Sequence, residues 1–336
     1  MMFLRSLQAF FFSTQSARGF GLMRIAWATV AFSYFLMQWQ DIDFFYGNDG
    51  FMNPDLSHTL MRSNLHYTFL AVVTSPHAVF ALYLLMLLCI FATAVGIFPR
   101  FMLIASVLLM FSFHERDTMV LGGGDTLLRN IGFILAISPC IDAFSLKRLD
   151  AQHRNIEKTG TLLPPPTMSA WPYRLLLWQM IVLYGTSFWY KMLGTMWTSG
   201  TAVQAALHQP FFSRWPDSII NPLMPMAHLV DWASLIWEGL WILLLVPRWL
   251  TDLLPKQIPR IPLKRILMIF GIFFHGSIFI LMDAGSFSLV MFTAYLGLIR
   301  DDDIAWFARL FPRVAALPSR FIRRIVGREM QRPAVS

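Results

Sequence analysis

Lys191 stands in the run Phe188-Trp189-Tyr190-Lys191-Met192, a basic amine set among aromatic side chains. An amine so enclosed loses hydration, which favours its neutral form and suits it to take a proton from a substrate. The same residue serves equally as a membrane anchor, its stem in the apolar layer and its charge at the surface. A second group comprises His114, Glu115, Arg116 and Asp117. If a helix continues through them, His114 and Asp117 share a face at i, i+3 spacing. Gly122-Gly123-Gly124-Asp125 comes next, and Arg129 one turn further on predicts an i, i+4 ion pair with Asp125. Three glycines let a backbone approach a ligand closely beside an acid and a base. The competing reading is a charged hairpin with an internal salt bridge. As a phosphate loop the stretch is poor, because the Walker spacing and its lysine are absent.

Glu238 and His275 lie near the middle of apolar segments. An ionisable group there costs about 2.5–3.5 kcal/mol, so it has a partner, a task or both. The two either satisfy one another or line a transport path. No HxxxH, HxxE or CxxC spacing supports a metal site, and none is expected.

The elements that position these residues are apolar runs of about 17 to 22 residues, the length that crosses a bilayer as a helix. They fall near 21–39, 78–98, 101–121, 125–141, 173–191, 228–246, 263–282 and 284–300. Lipid offers the backbone no partners and nothing alternates like a barrel strand, so the spans are helical. The expected fold is all-α, a polytopic membrane protein with about eight transmembrane helices.

Composition agrees. The 336 residues are 56% hydrophobic and 14% charged, against about 25% charged for a soluble domain. Mean hydropathy is +0.55. The net charge of +8 does not signal nucleic-acid binding, because the basic residues lie between apolar runs and report topology. With the N-terminus inside, 22 of 27 Lys and Arg residues fall on the inner side, and both termini are cytoplasmic. Lys191 is then the one lysine on the outer side. Cys89 and Cys140 lie in apolar segments and offer no disulfide framework. No removable signal peptide is expected.

Residues 1–20 form a cytoplasmic interfacial segment, 21–300 the transmembrane domain and 301–336 a basic tail. The inner segment 142–172 contains Pro164, Pro165 and Pro166 and reads as a mobile link between two groups of four helices. The outer segment 192–227 is too apolar for a free loop and is expected to fold back over the bundle or to lie in the interface. In the tail, Trp306, Phe307 and Leu310 followed by Arg320, Arg323 and Arg324 suggest a surface helix on anionic lipid. The expected location is a cell membrane, of the bacterial inner-membrane kind.

Three stretches carry a family resemblance: Gly21-Leu22-Met23-Arg24-Ile25, Gly122 through Arg129, and Tyr190-Lys191-Met192-Leu193-Gly194-Thr195-Met196-Trp197-Thr198-Ser199-Gly200-Thr201-Ala202. The chain resembles the horizontally transferred transmembrane (HTTM) family, which is similar to the membrane part of vitamin K-dependent gamma-carboxylase. The likeness covers roughly residues 15–305. It implies a lysine base acting on a reduced quinone such as vitamin K hydroquinone, followed by oxygenation, loss of a glutamate gamma-proton and addition of carbon dioxide. Lys191 would carry the first role, with Asp125, His275 and His114 as further catalytic candidates and Gly123, Gly124 and Trp197 at the cofactor. The expected partners are membrane lipids and a small-molecule or secreted peptide substrate, with no nucleic acid. Two departures stand out. The carboxylase continues into a large lumenal region that has no counterpart here. Its histidine near the start of the fourth span is replaced by Gly124-Asp125, with His114 as a substitute in space.

Overall fold

A computed structural model describes residues 8–60, 68–73, 75–119, 121–139, 142–245 and 262–312. Each expected apolar run coincides with a helix: α1 (Arg18–Met37), α2 (Pro76–Val95), α3 (Pro99–Arg116), α4 (Gly123–Ile137), α6 (Trp171–Leu193), α7 (Met224–Leu240), α8 (Leu263–Leu281) and α9 (Phe287–Leu298). Between α4 and α6 lies α5 (Leu146–Thr159), and α10 (Asp301–Leu310) follows α9. Proline opens the first turn of α2, α3, α6 and α7, where its missing N–H removes no helical bond. The named strands, β1 (Thr14–Ser16) and β2 (Thr167–Ser169), form one antiparallel ribbon. The fold is all-α.

Four helical runs are long and apolar enough to cross a membrane: Arg18–Met37, Pro76–Val95, Asp217–Leu245 and Leu263–Leu281. Outward-facing Leu88, Phe101, Phe133, Ile236 and Phe273 make the helix surfaces apolar as well. Such a surface is unsuited to water and associates with a membrane.

The chain forms two compact units, one through Leu298 and one from Ile299. In the first, α1 runs against α2, α4 and α9. Trp27 donates from Nε1 to the Leu128 carbonyl at 2.8 Å and lies flat on Gly132, which leaves room for the ring. Arg24 is fully buried. Its guanidinium donates to the carbonyls of Thr93, Ala94 and Ala143, so it satisfies the C-terminal end of α2 and ties the connection between α4 and α5 to α1.

The segment 142–172, read from its prolines as a mobile link, contains α5 and β2. Ser145 caps α5 by accepting from the Arg148 N–H at 3.1 Å, and Gly160 ends the helix in the left-handed region. Arg148 donates to the Pro164 carbonyl, and β2 pairs with β1 next to an Ala17 N–H bond to Pro166. Part of the segment 192–227 bonds to the end of α8. Arg214, Trp215 and Phe212 bond the backbone of Ile280 to Asp283 at the end of α8.

In the second unit, α10 begins with Asp301, Asp302 and Asp303, and the Asp303 carboxylate accepts the Arg300 N–H at 3.0 Å. Acidic residues there face the positive end of the helix dipole. The surface-helix reading of Arg320, Arg323 and Arg324 lies outside the described residues. So do Cys140, Arg62, Arg248, Lys256 and Arg260. Cys89 is buried and free.

Gly132→Ala would place a Cβ 2.7 Å from the Trp27 ring. Overpacking of this kind costs about 1–3 kcal/mol, so the apparent melting temperature of the detergent-solubilised protein should fall. An unchanged melting curve would mean that Trp27 has slack at α4.

Candidate functional site

Four helices meet around Lys191. The residue lies in the last turn of α6, and its Nζ stands 2.7 Å from Oε1 of Glu238 on α7. Both side chains are largely enclosed, at 16% and 4% exposure. Trp197, from the short helix Thr195–Thr198 just beyond α6, covers the ammonium with its ring centroid at 3.9 Å. Phe274 on α8 stands at 5.9 Å. Ion pair and aromatic cover together hold a charge that the apolar surroundings would otherwise penalise.

His275 on α8 is buried beside this pair. Its Nε2 lies 2.9 Å from the Tyr184 hydroxyl, which in turn meets the Tyr295 hydroxyl of α9. Tyr184 and Lys191 are seven residues apart on α6, so both point toward α7 and α8. The Tyr184 ring packs between Trp237 and Trp241 at 4.6 and 4.7 Å. Gly271 has no side chain because the Tyr295 hydroxyl fills that position. Nδ1 of His275 is a buried polar atom with no hydrogen-bond partner among the described residues, and the Glu238 carboxylate also interacts with the Ser187 hydroxyl.

The residues expected after α3 have other uses. Arg129 pairs with Glu115 at 2.5 Å, not with Asp125 as the spacing predicts. Asp125 instead accepts the Gly122 N–H at 2.7 Å as the third residue of α4, closing the helix start. Backbone capping holds the carboxylate against its own helix end, which leaves Arg129 to the acid one helix away. Helix α3 ends at Arg116 and Asp117 is extended, so His114 and Asp117 do not form a helical face. Arg116 donates to the Gly47 carbonyl at 3.0 Å.

His114 is fully buried, stacked on Phe35 at 5.4 Å with Tyr34 at its edge. Tyr34 also interacts with the Asp125 carboxylate and with Gln38. His114 and Asp125 thus share a neighbour, apart from the Lys191 group. Gly123 and Gly124 permit a close approach, and α9 itself makes it: a Cβ on Gly124 would lie 2.7 Å from Ser286 Oγ and 2.8 Å from the Phe287 nitrogen. The Phe287 ring then packs on His275 at 5.3 Å. One aromatic residue therefore connects the glycine run with the Lys191 group.

Of the candidate residues, Lys191, Trp197 and His275 are brought together. Asp125, His114, Gly123 and Gly124 sit in the neighbouring group. Glu238 and His275 do not pair: each has a different partner. Sequence reading missed Tyr184, Tyr295 and Asp231. The seven-residue spacings Tyr184 to Lys191 and Asp231 to Glu238 were the available signal, since each puts two polar groups on one helix face. No group of three or more His, Cys, Asp or Glu side chains that could hold a metal occurs among the described residues. Outside the spans, His208 places Nδ1 2.9 Å from the Gln204 carbonyl and Nε2 2.9 Å from Asn221 Oδ1. These bonds, the Gln204 carbonyl first, favour the imidazolium and raise the pKa above the ordinary histidine value. Compared with family models, curated proteins and solved structures, the chain matches none of them.

Removing one partner of a buried ion pair costs about 3–5 kcal/mol, while replacing both by apolar residues is close to neutral. Glu238→Gln and Lys191→Met should each lower the apparent melting temperature in detergent strongly. The double variant Lys191→Met/Glu238→Leu should recover most of the loss. A double variant as unstable as the worse single one would refute a pairwise origin.

Proposed function

We propose that the protein is a multi-pass membrane protein with eight spans and cytoplasmic termini, set in a bacterial-type inner membrane. In this reading it is an HTTM-type relative of vitamin K-dependent gamma-carboxylase, and its site opens on the outer face. Lys191 is the base, and its substrate is the hydroxyl of a reduced quinone-like lipid. The observation that carries this is the Lys191 amine held at 2.7 Å from Glu238 beneath the Trp197 ring.

The residues suit the task. In apolar surroundings a proton shift from Lys191 Nζ to Glu238 Oε1 turns an ion pair into a neutral pair. The neutral amine then accepts a proton from a bound hydroxyl. Lys191 regains its positive charge next to the new oxyanion, while Glu238 stays neutral. Net charge in the site is the same before and after, which keeps the step compatible with a low-dielectric interior. The aromatic walls Trp197 and Phe274 match a planar ring. A reduced quinone bound there would supply an acidic hydroxyl and reducing equivalents.

A transport, protection or envelope-protein maturation role is the alternative. Its motive was a Glu238–His275 couple at mid-membrane. Glu238 bonds Lys191 and His275 bonds Tyr184, so that motive is weakened.

Native mass spectrometry of gently solubilised protein, followed by lipid extraction, tests the proposal. A co-purifying quinone is expected from the wild type, with at least about a tenfold loss from Lys191→Ala, the factor that corresponds to 1.4 kcal/mol. If only bulk phospholipid travels with both proteins, the base assignment fails and Lys191 is an anchor.

A further inference from the structure

Trp197 covers Lys191 from a segment that is not part of any long helix. That segment runs through the short helix Thr195–Thr198, a turn at Gly200 and a second short helix, Ala202–Leu207. It is internally tied: the Thr201 N–H bonds the Met196 carbonyl at 2.8 Å and the Gly200 N–H bonds the Trp197 carbonyl at 3.2 Å. Displacing residues 200–203 would therefore carry Trp197 with them.

Helix α7 holds this segment at two points. Asp231 is fully buried, and its Oδ1 accepts the Val203 N–H at 3.0 Å. The Ala202 N–H also bonds the same carboxylate. These N–H groups open the second short helix and have no intrahelical acceptor, so a carboxylate suits them both as an acceptor and as a charge. One turn earlier, His228 Nδ1 lies 3.2 Å from the Gly200 carbonyl, and its ring occupies the place a side chain on residue 200 would need. Gly200 has φ +76°, so glycine is required there for conformation as well as for space. Asp231 precedes Glu238 by seven residues on α7. One helix face thus carries both the counter-ion of Lys191 and the anchor of its cover. Burial of a carboxylate in an apolar bundle is costly, which calls for a role that only its acceptor atoms can fill.

We propose that Asp231 is a positioning residue: by accepting the Val203 N–H it latches residues 195–207 over the bundle and keeps Trp197 seated on the Lys191 amine. The proposal rests on the reading of Lys191 as the working group of the site. The latch excludes water and bulk solutes from the amine, and its release admits them. The segment is in this sense a cover over Lys191, and Asp231 is its fastening.

The test uses the full chain in detergent micelles. Acetylation by an amine-reactive ester is followed by peptide mass spectrometry, with Lys147, Lys158, Lys256 and Lys264 as internal references. Hydrogen exchange at the Val203 amide is read on the same samples. Asp231→Ala should raise Lys191 acetylation about tenfold or more and speed Val203 exchange, as loss of a charge-assisted hydrogen bond implies. Asp231→Asn keeps an oxygen acceptor and should restore protection at both positions. Trp197→Ala should expose Lys191 yet leave Val203 exchange unchanged. The proposal is overturned if Asp231→Ala protects Lys191 as the wild type does, or if Asp231→Asn behaves like Asp231→Ala. Should Asp231→Ala fail to fold, Trp197→Ala and Asp231→Asn decide alone: an unprotected Asn variant or a protected Trp197→Ala variant refutes the latch. None of these readouts involves a quinone, so the latch can stand where the quinone reading falls, and the reverse.

Discussion

The ion pair between Lys191 and Glu238 is the constraint around which the second half of the bundle is arranged. A carboxylate in the interior of an apolar helix requires a partner, and a lysine at the end of a neighbouring helix is the partner supplied. The pair works only if α6 and α7 meet with Lys191 opposite Glu238. That register also seats Tyr184 among Trp237, Trp241 and His275, because Tyr184 lies two turns back on the same face. Aromatic packing around Tyr184 fixes α8 and α9 in turn, with Gly271 giving way to the Tyr295 hydroxyl. Charge pairing, helix register and aromatic packing are one arrangement.

The first half uses its polar residues differently. Arg24 takes up two backbone carbonyls at the end of α2 and a third at Ala143, Arg116 takes one, and Asp125 closes the start of α4. These are terminal backbone groups that would otherwise lie unsatisfied in apolar surroundings. Gly124 then lets the start of α9 sit directly on α4, and Phe287 passes from that contact to His275. The closely packed glycine run is thus where the two groups of polar residues come nearest to sharing a wall.

Much of this could be read from the sequence, and the failures have physical reasons. The helices were legible because spans must be long and apolar, and each expected run has its helix. Lys191 stood out as a lone basic residue among aromatics, while Trp197 entered only through the family resemblance. Pairings were less legible. Asp125 and Arg129 have ideal i, i+4 spacing, but a carboxylate at the third position of a helix prefers the free backbone N–H at its start. Glu238 and His275 looked like natural partners because both lie mid-span, yet which helix faces which is set by packing of all the helices. The segment 142–172 looked loose because proline was weighed and the cap at Ser145 was not. Asp231 was overlooked because it falls at the start of the expected run 228–246, whereas α7 begins at Met224 and buries it mid-helix. Its partner, Val203, is 28 residues away.

Two buried histidines invite comparison, and their surroundings separate them. His114 is sealed, its ring stacked on Phe35 and its nearest charged neighbours, Glu115 and Arg129, committed to one another. A membrane-soluble substrate could reach it only by displacing packed aromatic rings. His275 lies behind Lys191, and Lys191 keeps 16% of its side chain exposed under a cover made of one short segment. Partial exposure, an aromatic cover and a carboxylate 2.7 Å from the amine occur together in the Lys191 group. In the proposed reading, a proton leaving a substrate there passes to Nζ, which has already given its own proton to Glu238. The Tyr184 and Tyr295 hydroxyls hold His275 at the back of the site. On the proposed reading the chemistry belongs where α6 ends, while the Glu115–Arg129 pair beside His114 joins α3 to α4.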